Sequence, residues 1–201
     1  MASPAQHDEY DPYGRTVLLD HAGPWTEEEF LALPDDRRIE LLDGALLVSP
    51  GPGGRHQRMS FQLCYALGRA APDWMEVLEA INVRVGPDRI LIPDLVVVTN
   101  PGLDLKIWDA ADVAMVVEIV SPGSVAADRA IKPQMYATAG IEHFLRVELG
   151  KLGPSSVAYQ LQRDRYVEIV SSAPGQLMRL TEPFSAEIDL AALAAATRPP
   201  P

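Results

Sequence analysis

Two runs of this chain are apolar almost without interruption, Ile92 to Val98 (IPDLVVV) and Val113 to Val120 (VAMVVEIV). A strand with one face in water alternates apolar and polar residues, whereas a continuous run needs cover on both faces. These segments are therefore central strands, with helices packed on either side of their sheet. Each run nevertheless carries one carboxylate, Asp94 in the first and Glu118 in the second. A buried carboxylate without a partner shifts its pKa or breaks the strand, and a divalent cation is a natural shared partner for two. A hydrogen-bonded position at a wet strand end is the plainer alternative. The residues taken singly leave both open.

Local signals place the other elements around these strands. Thr26 and Glu29 form a capping box, flanked by Trp25 and Phe30 as a hydrophobic staple, so a helix starts there and stops near Pro34. Arg38 to Val48 (RIELLDGALLV) reads as a hairpin, because Asp43-Gly44 tolerates the positive φ angles of a type I′ turn. Glu40 then lies on a strand. Met59, Leu63, Leu67 and Ala70 recur at helical spacing, which predicts an amphipathic helix over residues 55–70 with Cys64 in its core. MEVLEAINVRV and ILIPDLVVV predict two strands paired antiparallel across Gly86 to Arg89. A helix is expected from Ser124 to Ala139, stopped by Gly140, followed by the strand IEHFLRVEL. A late hairpin turns at Arg163-Asp164, and FSAEIDLAAL closes the chain's regular structure. Residues 1–22 read as a loose arm, 23–196 as one domain, and 197–201 as a proline-rich irregular tail.

Composition removes several function classes. The 201 residues suit one core, and 47% hydrophobic with 22% charged residues is ordinary globular usage. A single cysteine excludes an internal disulfide and a cysteine zinc cluster. No run approaches the roughly 20 apolar residues of a membrane helix, and the N-terminus has no basic start or apolar run, so the expectation is a cytoplasmic protein without membrane contact. GxSxG, a glycine-rich phosphate loop with lysine, and HExxH are all missing from the sequence. The net charge of −11 disfavours general nucleic-acid binding, although a bound cation reverses the local field.

A hairpin with IELLDG, a helix opening on RHQRM, a strand with PDLVVV, a strand with VVEIVSP, the segment DRAIKPQMYATAG and a strand with HFLRVE follow one another. In that order they resemble the putative restriction endonuclease family, small bacterial proteins of the PD-(D/E)xK nuclease superfamily, over about Thr26 to Leu193. The resemblance implies a restriction-endonuclease-like α/β core: a mixed central sheet flanked by helices, with an N-terminal hairpin and C-terminal strands. It implies an endonuclease hydrolysing phosphodiester bonds, in DNA first, with Mg²⁺ or Mn²⁺. Asp94, Glu118 and the carbonyl of Ile119 match its metal ligands, and hard oxygen donors suit these ions. The superfamily's usual lysine position, two residues after the glutamate, is Val120 here. Lys132, 14 residues beyond Glu118, matches members whose lysine comes from the following helix. Glu40 matches a glutamate that holds a second metal or orients the lysine. His56, with Arg55 beside it, matches a substrate-binding position near the site. Val120, Pro133 and the acidic balance support the alternative, an inactive binding or assembly module of the same fold. The oligomeric state is open, a homodimer included. Because clustered carboxylates repel one another, Asp94→Asn is expected to leave the metal-free protein folded or even stabilised.

Overall fold

A computed structural model of the chain describes residues 21–33, 38–48, 51–120, 130–189, 192–193 and 195. The expected arm and tail fall almost wholly outside the described residues, as do Pro34 and the first part of the helix expected from Ser124.

The N-terminal helix α1 (Glu27–Leu31) starts as its sequence dictates. Thr26 accepts from the Glu29 backbone N–H, and the Glu29 carboxylate accepts from that of Thr26. Trp25 and Phe30, on either side of this box, are both buried. The hairpin β1 (Ile39–Leu42) and β2 (Ala45–Val48) turns at Asp43 and Gly44, whose φ values of 51° and 79° are those a type I′ turn demands. The amphipathic helix α2 (Gly54–Ala70) buries His56, Met59, Ser60, Leu63 and Leu67, with Cys64 half-buried against the same core.

The next two apolar runs depart from expectation, because each is two strands rather than one. MEVLEAINVRV divides into β3 (Glu76–Glu79) and β4 (Asn82–Gly86), while ILIPDLVVV divides into β5 (Arg89–Leu91) and β6 (Leu95–Val98). The breaks coincide. Ala80 takes a φ of 51° and donates its N–H to the carbonyl of Asp94. Pro93 has no N–H for a ladder, and the N–H of Ile92 goes to the Glu40 side chain. The antiparallel pairing expected across Gly86 to Arg89 is present between β4 and β5, and β3 pairs with β6 in a different sheet.

Beyond these come β7 (Ile107–Asp109), β8 (Val113–Val120), the short helix α3 (Lys132–Thr138), β9 (His143–Gly150), β10 (Gly153–Gln162), β11 (Arg165–Ser172), β12 (Leu177–Leu180) and β13 (Ala186–Asp189). One sheet has the order β2-β1-β5-β4-β7 and a larger one β11-β10-β9-β8-β6-β3, while β12 and β13 form a pair. The larger sheet is mixed, since β8 runs antiparallel to β6 and parallel to β9. As the continuous runs required, β6 and β8 are interior strands. Leu95, Val97, Met115, Val117 and Ile119 face α2 and the β12–β13 pair in one core cluster. Val96, Val98 and Val116 face Tyr136 of α3 in a second cluster. Each such fully buried side chain contributes roughly 1.5–3 kcal/mol. Among the described residues no helix is long and apolar enough to cross a membrane.

Candidate active site

Period-two alternation puts Asp94 on the face of Val96 and Val98, and Glu118 on that of Val116. The register pairing Leu95 with Val117 and Val96 with Val116 brings Asp94 opposite Glu118 across two neighbouring strands. Glu40 arrives from β1 in the other sheet. It is fixed where the chain breaks between β5 and β6, by the Ile92 N–H at 2.8 Å from its Oε1. Lys132 is the first residue of α3, and Pro133 sits in that helix's first turn, where its missing N–H costs no hydrogen bond. A π-helical turn at residues 130–131 leads into this helix. Gly140, with a φ of 81°, follows the helix end as expected.

The Lys132 ammonium Nζ lies 3.0 Å from Glu40 Oε1 and 3.2 Å from Glu118 Oε1. Glu118 Oε1 also accepts the Tyr136 hydroxyl at 2.5 Å. Asp94 Oδ1 accepts from Arg38 at 2.9 Å. Its Oδ2 meets His56 Nε2 at 3.2 Å and accepts the Ile119 N–H at 2.7 Å. Arg38 also donates to the carbonyl of Ile92. Glu40, His56, Asp94, Glu118 and Lys132 are all buried.

Burial pushes the Asp94 carboxyl upward, but the hydrogen bond and charge of His56, the Ile119 N–H and the Arg38 charge outweigh it, so its pKa lies below the ordinary value. Asp94 is an anion at neutral pH. The Tyr136 hydroxyl is pushed well above its usual range, by burial first and then by the charge of Glu118, so it stays a donor. Among the described residues the three carboxylates of Asp94, Glu118 and Glu40 thus face Arg38, His56 and Lys132.

The donor set fits a magnesium-class ion. Such ions bind through one or two carboxylates and keep several waters, so they need no all-protein cage. Among the described residues no group of three or more His, Cys, Asp and Glu side chains is arranged to hold a metal. Asp94 and Glu118 supply two carboxylates. An antiparallel residue turns its N–H and C=O toward the same neighbour, so the Ile119 carbonyl lies on the Asp94 side of β8. The buried Nδ1 of His56 has no hydrogen-bond partner among the described residues, which leaves one polar atom here for a ligand or water.

Asp94, Glu118, Lys132, Glu40 and His56 are thus brought together from five separate elements or junctions. Arg55 is not among them, since it is exposed and donates to the Gly150 carbonyl at 2.8 Å. Val120 is buried and apolar. Two members of the cluster went unread in the sequence, Arg38 and Tyr136. Signals for both exist: Arg38 is two residues before Glu40, on the same side of an extended chain, and Tyr136 is four residues after Lys132, on the same helix face.

The chain matches, over residues 27–194, the family model described as Uma2: Putative restriction endonuclease. No curated protein matches it. Among solved structures it is similar to the crystal structure of a putative nuclease belonging to DUF820 from Anabaena variabilis, with a TM-score of 0.69 and 17% identity over 87% of this chain and 100% of that one. At that identity the likeness concerns the fold, a restriction-endonuclease-like core.

Proposed function

Because the chain belongs to the Uma2 family of restriction-endonuclease-like proteins, we propose that it is a metal-dependent endonuclease that hydrolyses phosphodiester bonds, in DNA first. Membership supports a nuclease at the coarse level. The observation that carries the finer reading is Lys132 held between Glu40 and Glu118, next to the facing Asp94. Asp94, Glu118 and the Ile119 carbonyl would hold Mg²⁺ or Mn²⁺. When bound, such an ion polarises the scissile phosphate and stabilises charge on the leaving oxygen.

The chain's own groups do the rest. The Lys132 ammonium orients the attacking water, and Glu40 keeps that ammonium inside the cluster. Tyr136 fixes the rotamer of Glu118. Arg38 and His56 fix that of Asp94 and keep it ionised. Water adds to phosphorus, one ester P–O bond breaks, and the departing alkoxide takes a proton, leaving a phosphate monoester and a hydroxyl. DNA is the expected partner.

The rival reading is an inactive module of the same fold, favoured by Val120 at the superfamily's usual lysine position. Calorimetric titration with Mn²⁺ separates the two. The nuclease reading expects saturable binding in the wild type that is lost in Asp94→Asn and in Glu118→Gln. Equal binding, or none, in all three proteins would sink the metal assignment and leave the module.

A further inference from the structure

The row that brings Asp94 beside Glu118 continues one strand further. The parallel register of β8 and β9 pairs Glu118 with Arg146, so Arg146 stands on the same face about 4.8 Å away along the ladder. Beyond it, between α3 and the β10–β11 hairpin, lies a cavity of about 360 Å³. Arg146, Tyr159 and Tyr166 line it, and Pro133 and Gln134 of α3 form its other wall. The Arg146 guanidinium lies over the Tyr159 ring at 5.4 Å and is held by Glu148 at 3.1 Å. Tyr159 in turn stacks on Phe144. A second hollow of about 550 Å³ continues from the first, sharing Gln134 and Arg165 and ending at Arg163 and Asp164 of the hairpin turn.

The catalytic account uses none of these groups, and their chemistry has one sense. Among the described residues neither Arg163 nor Arg165 is ion-paired, in a chain whose net charge is −11. Most of the chain's other cations near carboxylates are engaged: Arg84 by Glu27 and Asp109, Arg89 by Asp43, Arg179 by Glu187. Two free guanidinium groups next to an aromatic wall fit phosphate and a base together, through charge and stacking. A cavity of 360 Å³ is at the small end of the range for ligand sites, roughly 300–1,000 Å³. Its volume suits one unstacked nucleotide, with the second hollow left for the adjoining backbone.

We infer that this groove binds a single-stranded segment of the nucleic acid that runs from the candidate active site, with phosphates on Arg163 and Arg165 and a base against Tyr166. The inference rests on the nuclease reading for its direction, but not for its test. The substrate is then a strand with unpaired nucleotides beside the cut, rather than a continuous duplex.

The test measures fluorescence anisotropy of a short labelled single-stranded DNA and of its blunt duplex, in Ca²⁺ and again in EDTA. It compares wild type with R163Q/R165Q, whose substitutions are on exposed hairpin positions, after checking that both proteins melt at the same temperature. Wild type should prefer the single strand by about tenfold, the worth of stacking one base. The variant should lose that preference, and its log K against log salt should flatten by about 1.4, two phosphates at 0.7 each. Unchanged affinity and slope in the variant, equal binding of duplex and single strand, or displacement by polyglutamate as readily as by DNA would each overturn the groove. Strand binding lost in the variant while the wild type cuts nothing in Mg²⁺ or Mn²⁺ supports the groove and fails the nuclease reading. Cutting by the wild type with no change in the variant does the reverse.

Discussion

Asp94 accepts three hydrogen bonds inside the protein, from Arg38, His56 and the Ile119 N–H, and this reverses the stability expectation based on repelling carboxylates. Its lowered pKa says that the folded state prefers the anion. Asp94→Asn should therefore lower the stability of the metal-free protein by about 1–3 kcal/mol, the cost of weakening buried charged hydrogen bonds. Urea unfolding in EDTA measures it, and an unchanged midpoint would mean that the three donors are satisfied elsewhere. Tyr136→Phe removes the Tyr136 hydroxyl that donates to Glu118 and should cost about 1 kcal/mol or more. If Tyr136 positions Glu118, the variant should also bind Mn²⁺ more weakly, whereas a purely structural tyrosine would leave metal affinity unchanged. At this scale the sequence was partly legible. A carboxylate in each continuous apolar run pointed to Asp94 and Glu118. Arg38 and Tyr136 read as ordinary polar and core residues, because their role depends on neighbours 56 and 18 positions away.

Elements set by neighbouring residues were the most readable. The capping box before α1, the Asp43-Gly44 turn, the helical spacing of α2 and the Arg163-Asp164 hairpin each follow from chemistry within a few positions. The division of two long runs into four strands was hidden, because it depends on Glu40 taking the Ile92 N–H and on Ala80 donating to Asp94, contacts between distant segments. That same division opens the junction in which Glu40 meets Lys132. Gly44 shows how tightly one turn is specified: its φ is 79°, and an added Cβ would come within 2.5 Å of Pro24 Cβ. Gly44→Ala should thus destabilise the protein by more than about 1 kcal/mol, because both the backbone and the contact resist it. A thermal melt checks this, and a variant as stable as wild type would show that the Pro24 segment moves aside at no cost.

Across the whole molecule the acidic charge and the buried histidines decide how conditions act. His143 on β9 is buried, and burial pushes its imidazole below 6.5 despite the opposing charges of Glu142 and Glu182. Above that value the ring is neutral in both states and its contribution is complete. As pH falls below it the unfolded chain takes a proton that the folded one resists, so stability is lost on acidification. His143→Gln should flatten the fall in stability between about pH 7 and 5, as followed by denaturant midpoints, and an unaltered slope would place the titration elsewhere. The net charge of −11 is a sum that hides position: the candidate site itself holds three carboxylates, while Arg146, Arg163 and Arg165 gather on one side of α3. The central claim is that Asp94, Glu118 and Lys132 form a metal-dependent phosphodiesterase centre. Its most direct measurement is cleavage of labelled single-stranded, duplex and partly paired DNA, and of RNA, in Mg²⁺ or Mn²⁺ by wild type, Asp94→Asn and Lys132→Ala. The account predicts internal cuts by the wild type only with metal, slowed at least about 100-fold in either variant. No cleavage of any substrate by the wild type, or undiminished cleavage by both variants, would contradict it.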